Sequence, residues 1–184
     1  MSKPAGYHSI DFDDYLRWEE SSLIKHELID GRFYAMTAGS AAHGLISANI
    51  IRELGNAFKG TPCRVYSSDF KVKVGADSYY PDVSVACERI QTTDRYTESP
   101  ALLVEVLSPS TAHQDIGYKL HRYQAISALR AYLIVPQDEK RIVAHVREEQ
   151  DWTVVTAFYE DDLVIAPFDV VLPLREVYRG VELE

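Results

Sequence analysis

The sequence predicts a mixed α/β (α+β) fold in a single domain, 1–184, and three observations carry that prediction. Helical and strand periodicities succeed one another in the order helix, three strands, helix, strand, with a hairpin signal before that run and a strand meander after it. At 184 residues, 46% hydrophobic and 26% charged, the chain is long enough to bury one sizeable core and too short for two. Pro and Gly are dispersed, and neither a repeat nor a low-complexity stretch marks a linker.

Taken in order, Ser9 or Asp11 can cap a short helix through Asp13, Tyr15, Leu16 and Trp18, whose early acidic residues suit the helix dipole. His26 to Met36 reads as a hairpin, because Asp30-Gly31 tolerates the positive backbone angles of a tight turn. Ala42 to Phe58 is helical, with Ile46, Ile50, Leu54 and Ala57 on one stripe and Gly60 at its end. Phe70 to Val74 alternates with period two, and strands carrying Asp82 and Glu105 follow. Ser108-Pro109-Ser110-Thr111 breaks the last of these and caps a helix from His113 to Ser127 with Ile116, Leu120 and Tyr123 as its apolar stripe. Ala131 to Pro136 is a strand. Arg141–Val146 and Trp152–Phe158 form a second hairpin, Leu163 to Leu172 one or two short strands, and Leu174 to Tyr178 a brief terminal helix.

Composition narrows the function. A net charge of -9 opposes a protein that coats nucleic acid through a basic surface, although it leaves room for a local basic groove. No apolar run is long enough to span a membrane, and Met1-Ser2-Lys3-Pro4-Ala5-Gly6 lacks the apolar core of a secretory signal, so a cytoplasmic location is expected. Cys63 and Cys87 show neither Cys-x-x-Cys spacing nor a dense framework, and both are expected as free thiols. The histidines lack the His-x-x-x-His spacing of a zinc hydrolase.

Two acidic residues stand where strands normally place apolar ones. They are Asp82 in Tyr80-Pro81-Asp82-Val83 and Glu105 in Leu102-Leu103-Val104-Glu105-Val106-Leu107. A lone charge in a strand buried on both faces costs several kcal/mol, about 2–7 even for a neutral polar group, so Glu105 needs a partner. If the two strands are neighbours in suitable register the carboxylates converge, and they then require a proton or a cation between them. Hard ions such as Mg²⁺ favour that oxygen set. On the following helix, Asp115, Lys119 and Arg122 share a stripe, and Lys119 lies close enough to the apolar stripe to reach over the sheet.

These residues resemble a known group. Pro81-Asp82 followed by Glu105-Val106-Leu107, within a helix, three strands, helix, strand order, is similar to the PD-(D/E)XK nuclease superfamily. Within it, Glu27-Leu28-Ile29-Asp30-Gly31, Tyr80-Pro81-Asp82-Val83, Val104 to Thr111 and Asp115-x-x-x-Lys119-x-x-x-Tyr123 resemble the Uma-type restriction-endonuclease-like family, over nearly the whole chain. The resemblance implies a restriction-endonuclease-like core with an N-terminal helix and hairpin and a C-terminal strand meander. It further implies a Mg²⁺- or Mn²⁺-dependent endonuclease acting on phosphodiester bonds, DNA foremost, and a homodimer. Asp82, Glu105 and the backbone carbonyl of Val106 would hold the ion. The superfamily's lysine is expected two residues after Glu105, where this chain has Leu107, and Lys119 matches the cases in which that lysine has moved to the next helix. Beside carboxylates and phosphate, Lys119 is assigned to positioning water and stabilising charge rather than to general base work.

Simpler readings compete at each position. Pro-Asp alone often begins a turn, Glu105 can sit in a buried ion pair, and Asp115 with Lys119 has the spacing of an ordinary surface pair. Glu27 suits either a cross-strand pair or the rim of the site. His43 shares the stripe of Ile50 and Leu54 and reads as a core or helix-start residue before a ligand, and Tyr123 as packing before catalysis. The rival to an enzyme is an interaction module for nucleic acid or protein on the same fold that cleaves nothing appreciable; hydrolysis of a small phosphate ester is a third reading.

Overall fold

The computed structural model describes residues 10–107 and 112–182, with the side chains of 112–116 excepted. Helix α1 (Phe12–Glu19) is capped by Asp11, whose carboxylate accepts from the Asp14 amide. The hairpin β1 (His26–Ile29) and β2 (Arg32–Ala35) turns at Asp30-Gly31, with φ of 49° and 73°, the left-handed pair that a two-residue turn demands. Helix α2 (Ala41–Ala57) starts at Ser40, whose hydroxyl accepts from the His43 amide, and stops ahead of Gly60 at φ 85°.

Six further strands follow: β3 (Arg64–Ser67), β4 (Lys71–Val74), β5 (Asp77–Tyr79), β6 (Val83–Ala86), β7 (Tyr96–Thr97) and β8 (Pro100–Leu107). Helix α3 (Ala112–Gln124) joins β8 to β9 (Ala131–Pro136), which lies parallel to it. Strands β10 (Arg141–Glu148) and β11 (Asp151–Phe158) form the second hairpin, and β12 (Asp162–Ile165), β13 (Val170–Pro173) and α4 (Leu174–Val177) close the chain. The Ser108 to Thr111 cap expected from sequence lies outside the described residues.

Two sheets organise these strands. The larger has the order β11-β10-β9-β8-β6-β3, the smaller β2-β1-β5-β4-β7. On one face of the larger sheet, Val83, Val85, Leu102, Val104 and Val106 pack against Ile46, Ile50 and Leu54 of α2 and against the β12–β13 pair. On the other face, Leu103 and Leu107 meet Tyr123 of α3 together with Val72 and Tyr79 of the smaller sheet. β8 is buried on both faces along its whole length, so its Leu and Val residues run on without alternation.

The core order is helix, three strands, helix, strand, but its first strand differs from the sequence expectation. Phe70 to Val74 leaves that sheet and pairs as β4 with β5 in the smaller one; the first core strand is β3, which pairs antiparallel with β6. Five residues between Thr61-Pro62 and Ser68-Asp69 carry too little alternation to read as a strand.

The expectation of free thiols is also corrected. Arg64 faces Ala86 across β3 and β6, and the next pair outward is Cys63 with Cys87, which form a disulfide across a separation of 24 residues. Register rather than spacing decides this pairing. Replacing both cysteines by alanine is expected to cost about 2–4 kcal/mol in urea unfolding, and coincident unfolding curves with and without reductant would show that the bond contributes nothing. No helix among the described residues is long and apolar enough to cross a membrane.

Candidate functional site

The chain crosses from one sheet to the other at Tyr80-Pro81-Asp82, between the end of β5 and the start of β6. Asp82 therefore sits just ahead of its strand rather than within it. Val83 pairs with Val104 and Ser84 with Leu103, so one step back the register sets Asp82 opposite Glu105. Residues directly opposite in an antiparallel pair share a face, with Cβ atoms about 4.5–5.5 Å apart. Asp82 Oδ2 accepts the Val106 amide at 2.7 Å, which ties the junction to β8.

Glu105 is 6% exposed, and its carboxylate is held in place. Lys119 Nζ reaches Glu105 Oε1 at 3.2 Å and Glu27 Oε1 at 3.0 Å, and the Tyr123 hydroxyl donates to Glu105 Oε1 at 2.9 Å. Glu27, on β1, also accepts the Tyr80 amide at 3.1 Å. Lys119 is thus buried between two carboxylates from two sheets, and the side chain of Asp115 lies outside the described residues. Burial and the nearby Glu105 push the Tyr123 hydroxyl well above its usual pKa, so it stays a donor.

Leu107, at the position the superfamily gives to lysine, belongs to the apolar cluster of Tyr79, Tyr123, Leu129 and Tyr132. An ammonium there would need desolvation among rings and aliphatic groups, whereas α3 delivers Lys119 to Glu105 from above.

His43 belongs to the site as well as to the helix start. Its Nε2 lies 3.2 Å from Asp82 Oδ1, and the Asp82 hydrogen bond raises its pKa against the opposing effect of burial, with the Asp82 charge and the Val106 backbone adding to the rise. Gly39 leaves room for the ring: a Cβ there would fall 2.8 Å from His43 Nδ1. The sequence signal for this contact was weak, since His43 followed the apolar stripe of α2. Glu27 had a signal, Glu-Leu-Ile-Asp-Gly, but its bond to Lys119 spans 92 residues and could not be read locally.

A second polar group borders the site. Buried Glu19 accepts from the His26 amide at 2.9 Å and from the Tyr80 hydroxyl at 3.0 Å. On the rim, Arg122 bonds Asp30 at 2.8 Å and approaches Asp77 at 3.6 Å, clasping α3 to the first hairpin.

As donors, Asp82, Glu105 and the Val106 carbonyl are hard oxygens on adjacent strands, and in kind they fit a divalent ion that takes two carboxylates and completes its shell with water. No cluster of three or more His, Cys, Asp or Glu arranged to hold a metal occurs among the described residues. Each carboxylate instead has a cationic or cation-forming side chain within 3.2 Å, Lys119 on Glu105 and His43 on Asp82. The repulsion expected from sequence is therefore relieved by side chains.

An αβββαβ core with paired carboxylates at a strand junction and a lysine laid over them defines a restriction-endonuclease-like protein of the PD-(D/E)XK kind. The chain belongs to the Uma2 family, described as "Putative restriction endonuclease", whose model matches residues 12–175. It is 33% identical over 184 residues to "Uncharacterized protein slr1290" of Synechocystis sp. (strain ATCC 27184 / PCC 6803 / Kazusa), covering 98% of this chain and 97% of that one. It is also 33% identical over 129 residues to "Uncharacterized protein sll1609" of the same organism, covering 67% and 73% of the two chains. Among solved structures, "a putative nuclease belonging to DUF820 from Anabaena variabilis ATCC 29413" superposes with a TM-score of 0.75 at 17% identity, over 94% of this chain and 99% of that one. At that identity the likeness shows the fold alone.

Proposed function

We propose that this protein is a Mg²⁺- or Mn²⁺-dependent endonuclease-like hydrolase of phosphodiester bonds acting on DNA. The observation that carries the reading is Lys119, a buried ammonium between Glu105 and Glu27, directly over the strand pair that sets Asp82 against Glu105. Asp82, Glu105 and the Val106 carbonyl would hold the ion. Bound there, it supplies a Lewis acid and a more acidic water. The chain's own residues do the rest. Tyr123 and Lys119 fix the Glu105 carboxylate, Glu27 fixes Lys119, and the ammonium can orient a water and offset charge that grows on a phosphate oxygen. His43 bears on Asp82 and, when protonated, would offset its charge before substrate arrives.

The test is incubation of purified protein with supercoiled and single-stranded DNA under Mg²⁺, Mn²⁺ and chelator, beside Asp82→Ala. Ion-dependent nicking lost in the variant supports the reading; intact DNA under every condition sinks it. The partnering of each carboxylate by His43 or Lys119 favours the second reading, an interaction module on the same fold, which predicts DNA retention without cleavage and without an ion requirement.

The same reading puts the protein in the cytoplasm, where the Cys63–Cys87 bond would have to persist against reducing conditions. The homodimer reading rests on β11, an edge of the larger sheet, where Val154, Val155 and Phe158 are 60%, 44% and 59% exposed. Sedimentation at micromolar protein is expected to give twice the monomer mass, and a monomer alone would remove the claim.

A further inference from the structure

A buried lysine with no ion pair among the described residues lies on the α1 face of the smaller sheet, opposite the face that meets Tyr123 of α3. Lys71 opens β4, and the register that pairs Val72 with Tyr79 places it, one step back, opposite Tyr80, two residues before Asp82. It is 9% exposed. Among the described residues its ammonium makes no ion pair and no side-chain hydrogen bond; its contact is the face of Tyr80, 5.2 Å from the ring centroid. Lysines this buried are otherwise almost always paired. An aromatic face attracts an ammonium but accepts none of its three hydrogen bonds in the manner of an oxygen.

Two other cations share the neighbourhood. Lys25 Nζ lies 5.6 Å from the same Tyr80 centroid, and Arg95 is tied to Lys71 through its carbonyl, which accepts the Lys71 amide at 3.4 Å. Both are balanced by outward acids, Lys25 by Asp69, which is 79% exposed, and Arg95 by Glu20 at 2.6 Å. The nearest buried acid, Glu19, is already engaged by His26 and Tyr80. Burial lowers the Lys71 pKa and Arg95 and Lys25 add to the lowering, while the charges of Glu19 and Glu20 oppose it. An arriving oxyanion would satisfy the ammonium's donors and its charge at once.

We propose that Lys71, with Lys25 and Arg95, forms a phosphate-binding site on the α1 face of the smaller sheet, one that takes a backbone phosphate away from the one being cleaved. The ligand chemistry is a phosphate oxyanion. That its source is nucleic acid rests on the function proposed above, and free inorganic phosphate is the other source.

The experiment has two probes and three variants. Fluorescence anisotropy of a labelled duplex, with Ca²⁺ in place of Mg²⁺, is followed against KCl for wild type, Lys71→Met, Lys71→Arg and Lys25→Gln. Thermal melting is followed in inorganic phosphate and in chloride at equal ionic strength. Lys71→Met is expected to weaken duplex binding about tenfold and to reduce the salt slope by about 0.9, one phosphate contact. It should also abolish the phosphate-induced rise in melting temperature while melting no lower than wild type in chloride. Lys71→Arg should restore both, and Lys25→Gln, at a half-buried position, should give a smaller loss of the same kind, which keeps the test open if Lys71→Met misfolds. Wild type that ignores DNA yet gains phosphate stabilisation through Lys71 would retain this site and discard the nuclease reading. Wild-type salt slope and phosphate response in Lys71→Met and Lys25→Gln, with DNA still bound, would overturn the site and leave the nuclease reading standing.

Discussion

Lys119→Ala is expected to lower DNA cleavage by on the order of a hundredfold or more and to destabilise the fold by about 3–5 kcal/mol. Both effects follow from one placement. The ammonium is buried at 3.0 Å from Glu27 and 3.2 Å from Glu105, so its removal leaves two carboxylates in a site built around a positive charge. A surface pair with Asp115 would instead cost under about 1 kcal/mol, so urea unfolding alone distinguishes the two environments. The catalytic part is separated by assaying at a temperature where circular dichroism shows the variant folded. Partial recovery of stability in Glu27→Gln with Lys119→Ala, without recovery of cleavage, is the expected pattern, because the double variant removes one stranded charge but supplies no ammonium to the phosphate. Full turnover in folded Lys119→Ala would sink the assignment even if the protein is a metal-dependent nuclease.

The second large effect is expected at Asp82. Asp82→Ala should abolish metal-dependent cleavage, a loss of at least about a hundredfold, and should also remove any rise in melting temperature that Mn²⁺ gives the wild-type protein. Without the carboxylate, the Val106 amide and His43 both lose an acceptor, at 2.7 and 3.2 Å respectively. The variant should therefore be less stable in chelator too, by about 1–3 kcal/mol. That makes the Mn²⁺ response, measured for each protein against its own chelator baseline, the decisive quantity. Equal Mn²⁺ responses in wild type and Asp82→Ala would place the ion elsewhere; no response in either would favour the interaction module.

These two residues also show how far local reading reaches. The sequence determined the coarse core order of helix, three strands, helix and strand, the Asp30-Gly31 turn, both long helices and the apolar run of β8 that makes Glu105 conspicuous, because each depends on periodicities and turn chemistry within a dozen residues. It brought Asp82 and Glu105 together as a motif, but their register follows from antiparallel pairing of β6 with β8, a choice among strands that no window of sequence contains. Only the tertiary structure sent Phe70 to Val74 into a second sheet, made β3 the first core strand and so set Cys63 beside Cys87. The same second sheet carries Glu27 to Lys119 and Lys71 to Tyr80. The Glu27–Lys119 contact spans 92 residues, and its stability comes from sharing a buried, low-dielectric junction between two sheets, a property of the packed fold that is absent from any segment alone.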